Sequence, residues 1–314
     1  MNRRQFIKTV SLSALLKYSP AIFAQKPKRL MKISLNCGNI GVNADLTEAI
    51  NLARKYGFEA IDFNAGAIAA MNRDEMDRVV GLMKDSNLVW GATGLTVDFR
   101  GDESRFKDGL SRLPAVASAL KRVGLTRMTT WISPTHPTLG YDENFKLHKE
   151  RFAQIAKVLK DFDIQFGVEY VGTKTSRKRG GNVFIFNMKQ ALELINATGA
   201  ENIGLVLDSW HWWQADETPD DILKLKAKNV VAVDLNDAPA GIDKENQQDN
   251  KRELPSATGA IDLKGFLKAL AQINYDGPVR AEPFNKTLND MDNDSACAAT
   301  IAAMKKAFEM AGIL

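Results

Sequence analysis

The run IGLVLDSWHWWQ, residues 203–214, begins as a plain buried strand and then changes character. After Gly-Leu-Val-Leu come Asp208, Ser209, Trp210 and His211, so a carboxylate and an imidazole stand three residues apart among three indoles. A short apolar run that ends abruptly in chemistry-bearing residues is how a strand looks when it delivers its last residues to a pocket. An ordinary surface turn is the other reading.

The same pattern repeats along the chain. Strand-like runs lie at 32–38, 60–66, 89–97, 127–133, 164–171, 203–208, 230–237 and 278–284. Between them, segments such as LTEAINLARKYG (46–57), DEMDRVVGLMKDS (74–86) and ERFAQIAKVLKDF (150–162) carry apolar residues at three- and four-residue intervals. That spacing predicts helices packed on one side. Gly57 and Gly124 stand where helix C-caps are expected. A last helix is predicted over roughly 295–310. Eight β-then-α units predict a single-domain (β/α)8 TIM barrel over residues 25–314. An open doubly wound sheet is the competitor, but LNCGNIGVNADL (35–46), after the first strand, lacks the Gly-x-Gly-x-x-Gly spacing of a phosphate loop. The polar stretch 241–259 reads as one long loop, and loops of that length are usually functional.

The 314 residues are 45% hydrophobic and 25% charged, which suits a soluble globular protein. Two cysteines form neither a disulfide framework nor a metal motif. No segment has the ~20 unbroken apolar residues of a membrane span. Residues 1–24 have a basic start and a weakly apolar middle and read as an export signal. Arg3-Arg4-Gln5-Phe6-Ile7-Lys8 resembles the twin-arginine motif, which implies a periplasmic or otherwise exported protein. An amphipathic N-terminal helix is the bland alternative. Without the signal, Lys+Arg falls from 42 to 38 and equals the 38 Asp+Glu, so nothing argues for a nucleic-acid partner. A homo-oligomer is left open.

Four acids sit at the ends of four consecutive strands: Glu169, Asp208, Asp234 and Glu282. A barrel of this kind carries its chemistry at that end. Apolar neighbours flank each acid, and a buried charge without a partner costs several kcal/mol. No run of lysines or arginines is placed to neutralise all four, whereas a divalent cation would. Oxygen ligands favour a hard ion, Mn2+ or Mg2+, over zinc. Taken singly, each acid also reads as a helix N-cap or a salt-bridge partner. Asp208 fits a cap for a helix starting near Trp210, and Asp237 fits a turn cap beside Pro239.

On these residues the chain resembles the sugar isomerase/epimerase superfamily of xylose isomerase-like barrels. The resemblance covers the whole mature chain and is sharpest over VDLNDAPAGI (233–242), RELP (252–255), INYDGPV (273–279) and Glu282-Pro283-Phe284. It implies that Glu169, Asp208, Asp234 and Glu282 hold the metal and that Glu169 and Glu282 also serve as the acid/base pair. By the same resemblance His211, one turn beyond Asp208, reaches a carbohydrate substrate. Two departures stand out. The family's strand-seven histidine is Asp234 here, and Ser256 occupies a common glycine position.

Among the remaining candidates, Arg252 on the long loop reads as a substrate clamp or a solvated arginine. Trp210, Trp212 and Trp213 read as pocket lining or as core. His136, after strand four, is a candidate for the mouth. The basic run Lys174, Arg177, Lys178, Arg179 reads as a solvated face. The expected activity is isomerisation or epimerisation of a non-phosphorylated keto-sugar through an enediolate. The alternative is a lyase or hydratase acting on 3-keto-glycosides. A DNA-repair endonuclease of this fold needs more histidines than the three present. A non-catalytic sugar-binding protein is the remaining class.

Overall fold

Eight parallel strands form the barrel: β1 (Lys32–Asn36), β2 (Ala60–Asp62), β3 (Val89–Trp90 and Thr93–Gly94), β4 (Arg127–Ile132), β5 (Gln165–Tyr170), β6 (Ile203–Asp208), β7 (Val230–Leu235) and β8 (Pro278–Ala281). The computed structural model describes residues 29–314, and the export signal expected over 1–24 lies outside them. The hydrogen-bonded order runs from the first half of β3 through β2, β1, β8, β7, β6, β5 and β4 to the second half of β3. The two ends of the sheet are therefore halves of one strand, and the sheet closes on itself.

All eight strands lie where the apolar runs predict them, but several end early at the C-terminal side. The run at 278–284 stops at Ala281, where Pro283 has no N–H for a ladder. Strand β3 is broken at Gly91-Ala92: Gly91 N still donates to Ile61 O of β2, at 2.8 Å, and Leu95 N donates to Thr129 O of β4. The break has a local cause. A Cβ on Gly91 would lie 1.9 Å from Asp62 Oδ1 and 2.5 Å from Ser34 Oγ, so only glycine lets β3 pass the Asp62 carboxylate.

The outer ring is carried by α1 (Leu46–Tyr56), α2 (Arg73–Asp85), α3 (Glu103–Val123), α4 (Tyr141–Lys160), α5 (Met188–Ala197), α6 (Ser209–Gln214), α7 (Leu263–Gln272) and α8 (Asn293–Ala311). Gly57 and Gly124 close α1 and α3 in the left-handed conformation, at φ 80° and 84°. No helix among the described residues is long and apolar enough to cross a membrane.

The long loop after β7 is tied down by Asp237. Its carboxylate accepts from the backbone N–H groups of Ala238, Thr258, Gly259 and Ile261 at 2.7–3.1 Å. Its backbone exchanges two hydrogen bonds with Glu253. Asp237 thus organises a whole loop rather than one turn. Ser256 takes the left-handed conformation, φ 61°, that explains why glycine is common there. The basic run after β5 also serves this loop: Lys174 and Lys178 both pair with Glu245.

Candidate active site

Strands β5, β6, β7 and β8 bring the four predicted acids to one level. Asp234 pairs in register with Asp208 on one side and with Arg280 on the other. Ligand atoms of Glu169, Asp234 and Glu282 lie within 4.8 Å of one another, and so do those of Glu169, Asp208 and His211. Glu169 belongs to both groups and is the hub. Its Oε1 is buried and finds no hydrogen-bond partner among the described residues. Glu169 and Glu282 line a cavity of about 380 Å3 that also takes in His211, Asp249, Arg252, Trp131 and Phe284, and Asp208 and Asp234 lie behind them.

The expectation that no arginine neutralises the acids is corrected here. Arg252 is 2% exposed, so its reading as a solvated loop arginine falls away. Its NH1 donates to Asp208 Oδ2 at 2.6 Å and to Glu282 Oε2 at 3.3 Å, and its NH2 donates to Asp249 Oδ1 at 2.9 Å. Arg280 of β8, two residues before Glu282, grips Asp234 with Nε at 2.5 Å and NH2 at 3.0 Å. Its NH1 donates to Asp62 Oδ2 at 2.6 Å, and Asp62 Oδ1 accepts from Ser34 Oγ at 2.6 Å. A buried chain of polar groups therefore crosses the barrel mouth from β7 to β1.

These pairs explain the departure at strand seven. A histidine there would add no charge, whereas Asp234 adds one that burial makes costly. Arg280 supplies the compensating charge from the adjacent strand, and its planar fork takes both oxygens of Asp234. Asp208 is likewise occupied. Its Oδ1 accepts from Trp210 N at 2.7 Å, the cap expected for α6, and from Asn236 Nδ2 at 3.0 Å. Glu169 is the least engaged of the four, and among the described residues the Glu282 carboxylate accepts a hydrogen bond only from Arg252.

The electrostatics follow from this division. Burial pushes the Glu169 carboxyl well above the ordinary range, with the charges of Glu282 and Asp208 adding to it. Burial, with Asp234 nearby, raises Glu282 to about 8. Burial also works to raise Asp249, but His211 and Arg252 overcome it and bring the carboxyl down to about 2. Desolvation lowers His211, which keeps its ring neutral at pH 7. His211 Nε2 accepts from Arg252 NH2 at 3.3 Å, so its proton belongs on Nδ1, facing Thr173 Oγ1 at 3.4 Å.

A raised acid gives stability that is complete below its unfolded value and is lost as pH rises through its folded value. For Glu282 that window runs from 4.5 to about 8, and Glu169 has the same sign. Protein stripped with a chelator is expected to melt at progressively lower temperature across this window, and added Mn2+ is expected to reverse the loss. Thermal melts at stepped pH test it, and a flat profile would contradict the buried-acid assignment.

Other predicted residues lie elsewhere. Trp210 is fully buried and donates from Nε1 to Thr173 Oγ1 at 2.8 Å, so it supports the site from behind instead of lining it. Trp212 packs edge-on against Phe266 in the core, and Trp213 is partly buried. Neither lines the cavity. His136 does not reach the acids; its Nδ1 accepts from Thr138 N and Leu139 N and fixes its own loop. The aromatic residues that do line the cavity are Trp131 and Phe284, and Phe284 holds a left-handed φ of 42°, rare for a bulky residue. Arg280, Asp62, Asp249 and Asn236 carry no sequence signal of their own. Each becomes functional only through neighbours distant in the chain.

A closed barrel with strand-end acids around one cavity defines a class, and comparison with known proteins gives its family. The chain belongs to the xylose isomerase-like TIM barrel family, whose profile matches residues 50–308. It is 22% identical to an inosose isomerase of Bacillus velezensis over 270 residues, covering 81% of this chain and 89% of that one. A 98-residue stretch, 31% of this chain and 15% of its relative, is 34% identical to a 3-dehydroshikimate dehydratase of Pseudomonas aeruginosa. Among solved structures, a xylose isomerase domain protein of Alicyclobacillus acidocaldarius superposes with a TM-score of 0.79 at 29% identity, over 90% of this chain and 99% of that one. The zinc-bound IolI protein gives 0.72 at 19% identity, over 90% and 98% of the two chains. A D-psicose 3-epimerase gives 0.71 at 16%, over 90% and 100%.

Proposed function

We propose that the protein is an exported, divalent-metal-dependent isomerase or epimerase of a non-phosphorylated keto-sugar or keto-sugar derivative. The observation that carries this reading is the unpartnered Glu169 Oε1, buried at the point where both groups of ligand atoms meet. Burial without a partner is costly for a carboxylate oxygen, and a cation removes that cost. The donor set fits a divalent ion. Glu169, Asp208, Asp234 and Glu282 would hold it, and Arg252 and Arg280 balance the charge that exceeds the ion's own. Mostly carboxylate donors favour Mn2+ or Mg2+. When bound, such an ion polarises a substrate carbonyl and makes the neighbouring C–H more acidic.

The chain's own residues supply the rest. Glu169 takes the α-proton, since its Oε1 has no hydrogen-bond partner among the described residues and is free to accept one. Glu282, in its protonated form, delivers its own proton: to the same carbon from the opposite face for epimerisation, or to the former carbonyl carbon for isomerisation. Exchange with solvent then removes the proton from Glu169 and restores the one on Glu282. The Arg252 guanidinium and the neutral His211 ring orient substrate hydroxyl oxygens. The similarity to inosose isomerase along most of the chain supports this assignment of reaction class.

A second reading keeps the proton abstraction and ends in loss of a β-substituent, as a lyase or dehydratase. The local likeness to a dehydratase favours it. Keto-sugars incubated with Mn2+-loaded protein in D2O separate the two. Deuterium at the α-carbon without bond loss is expected for the first, and release of water or an aglycone for the second. No exchange with any keto-sugar under any divalent metal would sink both.

Export rests on Arg3-Arg4 and the weakly apolar stretch that follows. Replacing both arginines with lysine is expected to hold the protein in the cytoplasm, as read by cell fractionation. Unchanged export would reject the twin-arginine route.

A further inference from the structure

Beside the acidic cavity lies a second one of about 340 Å3 that shares Trp131, Ser133 and Thr135 with it. Its walls differ in chemistry. Phe99, Pro137 and Leu147 make much of it apolar, and the Trp131 ring stands at the boundary, half exposed. Trp131 is held in place: the Arg100 guanidinium lies 4.1 Å from its ring centre and 4.3 Å from that of Phe99, and it also donates to the Trp131 carbonyl. A rigid, half-exposed indole between two cavities is a stacking surface for a flat ring.

Two polar groups in this cavity lack partners. Asn144 of α4 is 2% exposed, and its Oδ1 has no donor among the described residues. His148, one turn on, places Nδ1 2.9 Å from the Asn144 carbonyl oxygen, so Nδ1 carries the proton and Nε2, which makes no hydrogen bond among the described residues, is left as an acceptor. Burial pushes His148 down to about 4, which keeps it neutral. A buried acceptor left unpaired is costly, and a ligand hydroxyl recovers that cost.

We infer that this side cavity is an aglycone subsite, so that the substrate is an aryl glycoside. Its sugar lies among the acids, its aromatic ring stacks on Trp131, and a ring hydroxyl is received by Asn144. This rests on the keto-sugar reading above. It adds that the sugar is glycosidically linked and that the second ring is aromatic and hydroxylated.

Isothermal titration of the Mn2+-loaded full chain tests it with four probes: the 3-keto-β-D-glucopyranosides of methanol, phenol and hydroquinone, and 3-keto-cellobiose. The hydroquinone derivative is expected to bind at least tenfold more tightly than the methyl derivative. The phenyl derivative is expected to fall between them. Leu147→Trp, which fills the cavity, is expected to abolish the aryl preference, with circular dichroism and melting temperature verifying the fold. Asn144→Ala is expected to erase the difference between phenyl and hydroxyphenyl. Equal binding of methyl and aryl derivatives, an unchanged ratio in Leu147→Trp, or 3-keto-cellobiose bound as tightly as the hydroquinone derivative would each overturn the subsite alone. Failure of all four to bind would remove the keto-sugar reading and the subsite with it.

Discussion

Replacing Glu169 with glutamine is expected to lower turnover about 10^3-fold while leaving the metal-free protein at least as stable as the parent. The two effects have one cause. Glu169 holds a buried carboxylate whose Oε1 has no partner among the described residues, so removing its charge removes a desolvation cost. The same change removes the proton acceptor, and general acid–base catalysis by one positioned group contributes about 10^2–10^4-fold. Divalent-metal affinity, read by titration calorimetry, is expected to fall as well. Steady-state rates, calorimetry and melting curves measured together decide the matter. An E169Q variant with parental turnover would end the assignment of Glu169 as the base.

Arg280→Met is expected to be severely destabilising, by about 3–5 kcal/mol, because it strands two buried carboxylates at once. Arg280 makes both hydrogen bonds to Asp234 and one to Asp62. Without it Asp62 keeps only Ser34, and Asp234 keeps no side-chain donor. The effect belongs to unpaired charge and not to lost packing, so the triple change Arg280→Met, Asp62→Asn, Asp234→Asn is expected to recover most of the loss. Urea unfolding of the single and triple variants checks this. A single variant within about 1 kcal/mol of the parent would mean that water reaches these carboxylates and the network is not buried in solution.

The contrast between these two residues bears on the strand-seven departure. With histidine at position 234, Arg280 would pair with Asp62 alone, one cation with one acid. With Asp234, the cation meets two acids, and each of their four side-chain oxygens accepts one hydrogen bond, three from Arg280 and one from Ser34. Burial of Asp234 therefore depends on Arg280, whereas Arg280 keeps Asp62 as a partner with or without Asp234.

Much of this was legible from the chain. Strand-length apolar runs separated by helical periodicity locate all eight strands, and acids at the ends of four consecutive runs locate the candidate site, because burial on a strand leaves apolar residues little freedom of placement. The strand ends were read too long because Phe63, Val97 and Phe284 extend the apolar pattern into loops that are packed for other reasons. For Trp210 the sequence leaves pocket lining and core equally open, because an indole beside a site acid suits either. The turn of α6 sends it into the core, where Thr173 satisfies its N–H.

What the chain by itself determined is periodic and local: the order of strands and helices, the caps at Gly57 and Gly124, and the side on which chemistry collects. What only the tertiary structure decided is which charge meets which. Arg252 finds Asp208 across 44 residues, and Arg280 finds Asp62 across 218. The long loop after β7 makes the first pair by folding back over β6, and closing the barrel makes the second by bringing the first strands beside the last. No local pattern encodes them, because an ion pair is set by distance and burial in space, and the residues between its partners leave no trace of it.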